Sequence, residues 1–100
     1  MVIWTPRARA DLKAIHDHIH KDAPINAKRV TQKILDKAAE LEDFPGTHKG
    51  VPEARTDDLH EVSVSAWRII YHSRNNNVYI ITVVHKRQLL EEDRLQHRNQ

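Results

Sequence analysis

Apolar residues recur every three or four positions along two stretches of the N-terminal half, a spacing that predicts two amphipathic helices. The first stripe comprises Ala8, Leu12, Ile15 and Ile19, and the second comprises Ala27, Val30, Ile34, Ala38 and Leu41. Thr5 and Pro6 are typical of an N-cap and a first helical residue. Pro24 restarts the pattern after a short break, so we expect the two helices to form an antiparallel hairpin.

The C-terminal half changes to runs rich in β-branched and aromatic residues, which are typical of strands. Strand candidates cover 59–65, 67–72 and 78–85, and a further short candidate covers 2–4. Asn75, Asn76 and Asn77 predict a turn between the last two strands. The segment 45–57 contains prolines and glycines and has no sustained period, so it predicts a loop.

The last two strands are substantially apolar on both faces, which is typical of strands covered on both sides. Strict alternation sets Trp67, Ile69 and Tyr71 against Arg68, Ile70 and His72, and sets Val78, Ile80, Thr82 and Val84 against Tyr79, Ile81, Val83 and His85. The helix hairpin can cover one face only, and the tail 88–100 is mostly charged. We therefore expect a partner segment or self-association to cover the second face.

Composition narrows the possible functions. The 100 residues suit a single domain spanning 1–100, with a polar tail at 88–100 that is either helical or disordered. A formal net charge of +2 permits nucleic-acid binding without requiring it. The absence of cysteine excludes disulfides and thiolate metal sites. With no signal peptide or membrane-spanning run, we expect a cytoplasmic protein without a membrane contact or a cofactor.

Several polar residues have purely structural interpretations that stand beside any functional one. Arg68 can pair across the sheet with Glu61, and Lys86 with Arg87 can be a charged strand end that discourages edge pairing. Trp67 and Tyr71 share a face with Ile69, which favours a core position over base stacking. His16 and His20 have the spacing of helical metal ligands, but both lie off the apolar stripe, so we predict no metal site. The basic residues of the second helix, Lys28, Arg29, Lys33 and Lys37, are typical of a solvated face.

The order of elements and four short motifs are similar to those of the RelE/ParE toxin superfamily. The motifs are Ala10-Asp11-Leu12, the helix ending Leu41 to Pro45, Trp67-Arg68-Ile69-Ile70-Tyr71, and Val84-His85-Lys86-Arg87. The resemblance covers about residues 2–95 and implies the α+β order β-α-α-β-β-β-short α, with a helix hairpin on a small, mainly antiparallel four-stranded sheet. It also implies the toxin half of a type II toxin–antitoxin pair, neutralised by a small cognate antitoxin.

One branch of the superfamily, the RelE-like toxins, consists of ribosome-dependent, metal-independent mRNA endonucleases. In this interpretation Arg68 and Arg87 match the two arginine positions that stabilise the reacting phosphate, and His72 is a candidate base. However, the branch carries lysines where this chain has the run from Leu59 to Val62, and the tyrosine of its C-terminal segment has no counterpart in 88–100.

The other branch, the ParE-like toxins, poisons DNA gyrase and needs a binding surface rather than a catalytic constellation. The run from His85 to Leu90 resembles the ParE ending, and the near-balanced charge suits a protein target, so this branch is favoured. The candidate target- or antitoxin-binding residues are Arg68, Ile70, Ile81, Val83, His85, Lys86, Arg87, Leu89 and Leu90. A non-toxic interaction module of the same fold is a third hypothesis, and either a homodimer or a toxin–antitoxin hetero-oligomer is compatible with the sequence.

Overall fold

A computed structural model describes residues 1–43, 50–54 and 58–88. The elements are β1 (Val2–Trp4), α1 (Pro6–His20), α2 (Pro24–Glu40), β2 (Leu59–Val64), β3 (Trp67–Arg74) and β4 (Asn77–His85). Two helices and a four-stranded mixed sheet, with one strand before the helices and three after them, confirm the predicted α+β fold. The short helix expected near the C-terminus, and the tail from residue 89, lie outside the described residues.

The strand order is β1-β4-β3-β2, with β1 parallel to β4 and the other neighbours antiparallel. The β3–β4 hairpin closes through Asn75 and Asn76, whose φ angles of 52° and 67° are left-handed. Asparagine tolerates this backbone better than other residues with a Cβ atom, which is why the pair can form a two-residue hairpin turn. Asn77, predicted as part of the turn, instead begins β4 opposite Arg74.

Both helices begin where the sequence predicts. The Thr5 hydroxyl oxygen accepts a hydrogen bond from the Ala8 N–H (3.3 Å), and Pro6 is the first residue of α1. Pro24 is the first residue of α2, where Ala23 provides no side-chain cap. The helices pack against each other and α1 lies against β4, so the two apolar stripes face one side of the sheet. No helix in the described part of the chain combines the length and the apolarity needed to cross a membrane.

A β-bulge in β4 changes which side chains face the helices. Ile70 lies opposite Thr82 while Tyr71 lies opposite Ile80, so Ile81 is an extra residue on β4. Beyond it, Val83 packs in the helix-side core, whereas Val84 belongs to the cluster on the opposite, second face.

The bulge makes the strict-alternation prediction wrong for the end of β4. His85 contacts Trp67, its partner across the strands, with ring centroids 5.3 Å apart, and Trp67 packs on the helix-side core. Val83 and His85 were predicted to share a face with Tyr79 and Ile81, but a single inserted residue inverts the alternation after it.

The second face of the sheet is covered by the chain itself. Ile70, Ile81 and Val84 are 0%, 3% and 2% exposed, and Val51 and Ala54 pack in the same cluster. The expectation that a partner or a second copy must cover this face is therefore wrong. Among the described residues, 50–54 contribute to this cover, and they form an aperiodic segment whose side-chain directions no sequence pattern reveals. We call residues 50–54 the strap.

Candidate functional site

A cavity of about 480 Å³ opens on the second face, where the strap, two strands and the turn after β4 meet. It is lined by Pro52, Glu53, Glu61, Ser63, Arg68, Lys86 and Gln88. Alternation along β2 places Glu61 and Ser63 on this face, and alternation along β3 places Arg68 there, so regular strand geometry brings three of its polar side chains together.

Arg68 is the centre of the cavity wall. Its Nη1 and Nη2 atoms donate to the two carboxylate oxygens of Glu53 at 2.8 and 2.7 Å, a bidentate pair. Nη2 also donates to Glu61 Oε1 at 2.8 Å, and Nη1 to the Gln88 carbonyl oxygen at 3.1 Å. The side chains of Arg68, Glu53 and Glu61 are 8%, 15% and 4% exposed. The predicted Arg68–Glu61 pair is confirmed, and it is half of a larger cluster, the Glu53–Arg68–Glu61 triad.

The electrostatics of the triad fix Arg68 in its charged form. The hydrogen bonds that Arg68 donates to Glu53 raise the pKa of its guanidinium above the ordinary value, burial opposes the rise, and Glu61 adds to it. Because two carboxylates surround one guanidinium, the triad carries an excess of negative charge. A phosphate approaching Arg68 would have to displace a bidentate carboxylate.

The three residues proposed for a nuclease are not brought together. His72 shares a strand face with Arg68, but four residues of extended chain separate them by about 13 Å. The His72 ring instead places Nδ1 3.1 Å from the Asp58 carbonyl oxygen. Arg87 is exposed on the turn after β4 and does not line the cavity. Of the three, Arg68 lines the cavity, whereas His72 and Arg87 are not among its lining side chains.

The predicted binding residues fall into separate places. Ile70 and Ile81 are buried on the second face beside the strap, whereas Val83 is buried on the helix side. His85 is half-buried at the end of β4, and Lys86 and Arg87 follow it as exposed cations. Leu89 and Leu90 lie outside the described residues.

Sequence reasoning missed Glu53, although a signal for it exists. A guanidinium carries five N–H donors in a fixed fork, so a buried arginine needs more acceptors than one cross-strand carboxylate supplies. Glu61 supplies only some of the acceptors that these donors need. The remaining acceptors must come from elsewhere in the chain. The Gln88 carbonyl and Glu53, in a segment with no readable period, provide them.

Asp11, from one of the four motifs, has a structural role. Its Oδ2 atom accepts hydrogen bonds from the Val83 N–H (3.1 Å) and from the Thr82 hydroxyl. The parallel partner β1 pairs with β4 only as far as Ile80, so Asp11 binds the edge of β4 directly after that pairing ends. At the point where the β1–β4 pairing ends, the Thr5 hydroxyl donates to the Ile80 carbonyl at 2.7 Å. These contacts fasten α1 to the sheet edge.

The basic residues of α2 match the prediction of a solvated helix face. Lys28, Arg29 and Lys33 are exposed, and Lys37 is half-buried with its Nζ 3.7 Å from Glu40 Oε1. The rings of His16 and His20 have centroids 5.3 Å apart. Within residues 1–43, 50–54 and 58–88, no group of three or more metal-ligating side chains converges.

Comparisons with known proteins place this geometry in a family. Residues 2–90 match the family model described as ParE toxin of the type II toxin–antitoxin system, parDE. The chain is 33% identical over 89 residues to a protein named Toxin RelE2 from Caulobacter vibrioides, covering 88% of this chain and 97% of that protein.

Two solved structures share the fold. One, titled as a chromosomal ParDE toxin–antitoxin system from P. aeruginosa, superposes with a TM-score of 0.73 at 21% identity, covering 84% of this chain and 92% of that one. The other, the toxin–antitoxin complex RelBE2 from Mycobacterium tuberculosis, gives a TM-score of 0.62 at 22% identity, covering 85% and 95%. The family match spans most of the sequence, from β1 to just beyond the turn after β4. The chain therefore belongs to the ParE toxin family of type II toxin–antitoxin systems, within the RelE/ParE superfamily.

Proposed function

We propose that this toxin acts in the cytoplasm by binding DNA gyrase, in the manner of ParE-like toxins, and that a cognate antitoxin neutralises it. The observation that carries the choice of target is the Glu53–Arg68–Glu61 triad. A nuclease of the RelE type needs free cations around the scissile phosphate. Here the guanidinium at that position is held by two carboxylates at 2.7 to 2.8 Å.

The residues that follow β4 support a binding role. Lys86 and Arg87 are exposed on a turn, and the half-buried His85 and Trp67 rings meet edge to face beside them. Exposed cations next to aromatic side chains are typical of protein-binding surfaces, where charge steers the encounter and aromatic area supplies affinity. We assign the gyrase contact to this end of the sheet.

The antitoxin proposal draws on the relatives. The two structural neighbours are titled as toxin–antitoxin systems, and the family model describes the toxin of such a pair. A small protein that poisons an essential enzyme requires a neutralising partner in the cell that makes it. We therefore expect a short open reading frame that encodes the antitoxin beside the gene.

A RelE-like activity is the second candidate, and one observation favours it. The relative with 33% identity carries the name RelE2, and Lys86 lines the same cavity as Arg68. If the triad opened, Arg68 and Lys86 would form a cationic pair beside Ser63. The first candidate is preferred because the triad is closed and His72 lies about 13 Å along the strand from Arg68.

The test adds the purified protein to DNA gyrase with plasmid DNA and, in parallel, to translating ribosomes. We expect linear plasmid DNA covalently linked to gyrase, and intact mRNA on the ribosomes. Cleavage of mRNA in the ribosomal A site, with gyrase unaffected, would reverse the assignment. Expression of the protein alone in cells should arrest growth, and normal growth would leave the non-toxic interaction module as the remaining function.

A further inference from the structure

We propose that the strap is a removable cover over a docking surface, and that a carboxylate of the antitoxin takes the place of Glu53 on Arg68 when the strap lifts. The identity of the partner rests on the proposed function. The removable cover is a property of this chain alone, and it can be tested without any partner.

Within the described residues, the strap contacts β2 through its backbone and Arg68 through Glu53. It belongs to no helix or sheet strand, and its backbone is tied to β2 by the bridge between Gly50 and His60 and by the Val51 N–H, which donates to the Leu59 carbonyl at 3.3 Å. The described part of the strap is also tied to β3 by the bidentate contact that Arg68 donates to Glu53. Segments outside regular structure with few backbone hydrogen bonds open at a lower free energy than core strands. Glu53 therefore acts as the latch of the strap.

The surface below the strap defines what can replace it. Ile70, Ile81 and Val84 form an apolar floor, and Arg68 lies next to that floor as the cross-strand partner of Val84. Lifting the strap would uncover apolar area beside a cation that has lost its bidentate partner. Such a surface binds a segment that offers apolar side chains and a carboxylate, as the strap itself does through Val51, Glu53 and Ala54.

Glu61 limits how much negative charge a partner can bring to this position. It remains on β2 when the strap lifts, is 4% exposed, and contacts Arg68 at 2.8 Å. A carboxylate, with one negative charge, can share Arg68 with Glu61, whereas a phosphate monoester with nearly two negative charges is repelled more strongly by Glu61. The antitoxin segment expected here is acidic and apolar in alternation.

Single introduced cysteines test the cover, because the chain has no cysteine of its own. Val83 and Val84 are neighbours on β4, both are 2% exposed, and they face opposite sides of the sheet. Val84→Cys should react with a thiol reagent roughly tenfold faster than Val83→Cys, since the strap opens more readily than the helix-side core. Equal rates would overturn the proposal.

The latch is tested by adding Glu53→Gln to each cysteine variant. Labelling of Val84→Cys should accelerate roughly tenfold or more, as expected for the loss of a charge-assisted hydrogen bond, while labelling of Val83→Cys stays unchanged. Glu42→Gln, at a glutamate whose side chain is 57% exposed, is the matched control and should change neither rate. Parallel acceleration at both cysteines would indicate global unfolding and would contradict a local strap, as would no acceleration at either.

The carboxylate exchange is tested with sodium propionate as the probe. In the Glu53→Ala, Val84→Cys variant, propionate should slow labelling severalfold relative to sodium chloride at the same ionic strength. Equal rates in the two salts would overturn the exchange of carboxylates. These experiments contain neither gyrase nor antitoxin, so their failure is distinguishable from a failure of the proposed function.

Discussion

On the helix side of the sheet, two long helices close the core with regularly spaced apolar side chains. On the second face, the cover within the described residues is a five-residue irregular segment, which packs on a smaller cluster beside a buried charged triad. The first face is defined by Ile34, Ile69 and Ile80, each 0% exposed. The second contains Arg68 and Glu61, which are buried although charged. Extensive apolar packing closes the helix side, whereas a few specific polar contacts close the second face.

This difference separates stability from binding. Apolar packing over a large area is strong, non-directional and costly to open. A buried ion pair adds little net stability compared with apolar side chains of similar size, but the loss of one partner is severe. A partner that supplies the same charge can therefore replace a segment held by such a pair. It cannot replace packed helices in the same way.

The largest expected effect is from Arg68→Ala, which leaves Glu53 and Glu61 buried without their cation. Its free energy of unfolding at neutral pH, measured with denaturant, should fall by roughly 3–5 kcal/mol. Acidic conditions should narrow the deficit, because protonation removes the buried negative charge.

The control is a triple variant that combines Arg68→Met, Glu53→Gln and Glu61→Gln. It should be more stable than Arg68→Ala and should recover most of the lost free energy of unfolding, because no charge remains buried. An Arg68→Ala protein as stable as the parent would mean that the triad does not form in solution.

Ile34→Ala tests the helix side. Ile34 is completely buried between the helices and the sheet, so the truncation should lower the free energy of unfolding by roughly 2–5 kcal/mol. Val51→Ala, in the strap, should cost less, about 1.5 kcal/mol for two methylene equivalents. Comparable losses at the two positions would show that the strap closes its face as firmly as the helices close theirs.

Asp11→Ala tests the fastening of α1 to the edge of β4. It leaves the Val83 N–H and the Thr82 hydroxyl without this acceptor, and the free energy of unfolding should fall by about 1.5–3 kcal/mol. Asp17→Ala, at a side chain on the same helix that is 52% exposed, is the control and should cost much less. Equal losses in the two variants would remove the structural role assigned to Asp11.

Arg87→Ala should have the smallest effect on folding, because its side chain is exposed. We expect the free energy of unfolding to stay within about 0.5 kcal/mol of the parent while toxicity weakens. Arg74→Ala, an exposed arginine at the opposite end of β3, is the control and should remain fully toxic. Full potency of folded Arg87→Ala in a growth assay would exclude Arg87 from the target-binding surface.

The two helices and their buried stripes could be predicted from sequence almost to the residue. Thr5 with Pro6, and Pro24, set the starts of both helices, and 3.6-residue periodicity identified their buried stripes. Strands were found within two residues, since their composition and alternation are local properties. The parallel pairing of β1 with β4 joins residues more than 70 positions apart and was not predicted, since the resemblance implied only a mainly antiparallel sheet.

The second face could not be predicted from local patterns. The extra residue Ile81 inverts the alternation, so Val83 and His85 were assigned to the wrong side. Glu53 lies in a segment without a period, and its contact with Arg68 depends on how that segment folds back across the sheet. Arg68 was correctly singled out as unusual, but the sequence left its pairing and its function as alternatives.

The most direct test of the central claim is the growth of cells that express the folded variant with Arg68→Met, Glu53→Gln and Glu61→Gln. Arg68 is here a structural residue of the triad rather than a group that acts on the cellular target, so we predict that this variant arrests growth as strongly as the parent at equal expression. Normal growth of cells that contain the folded variant would contradict the account, because it would show that Arg68 contacts the target or its substrate directly.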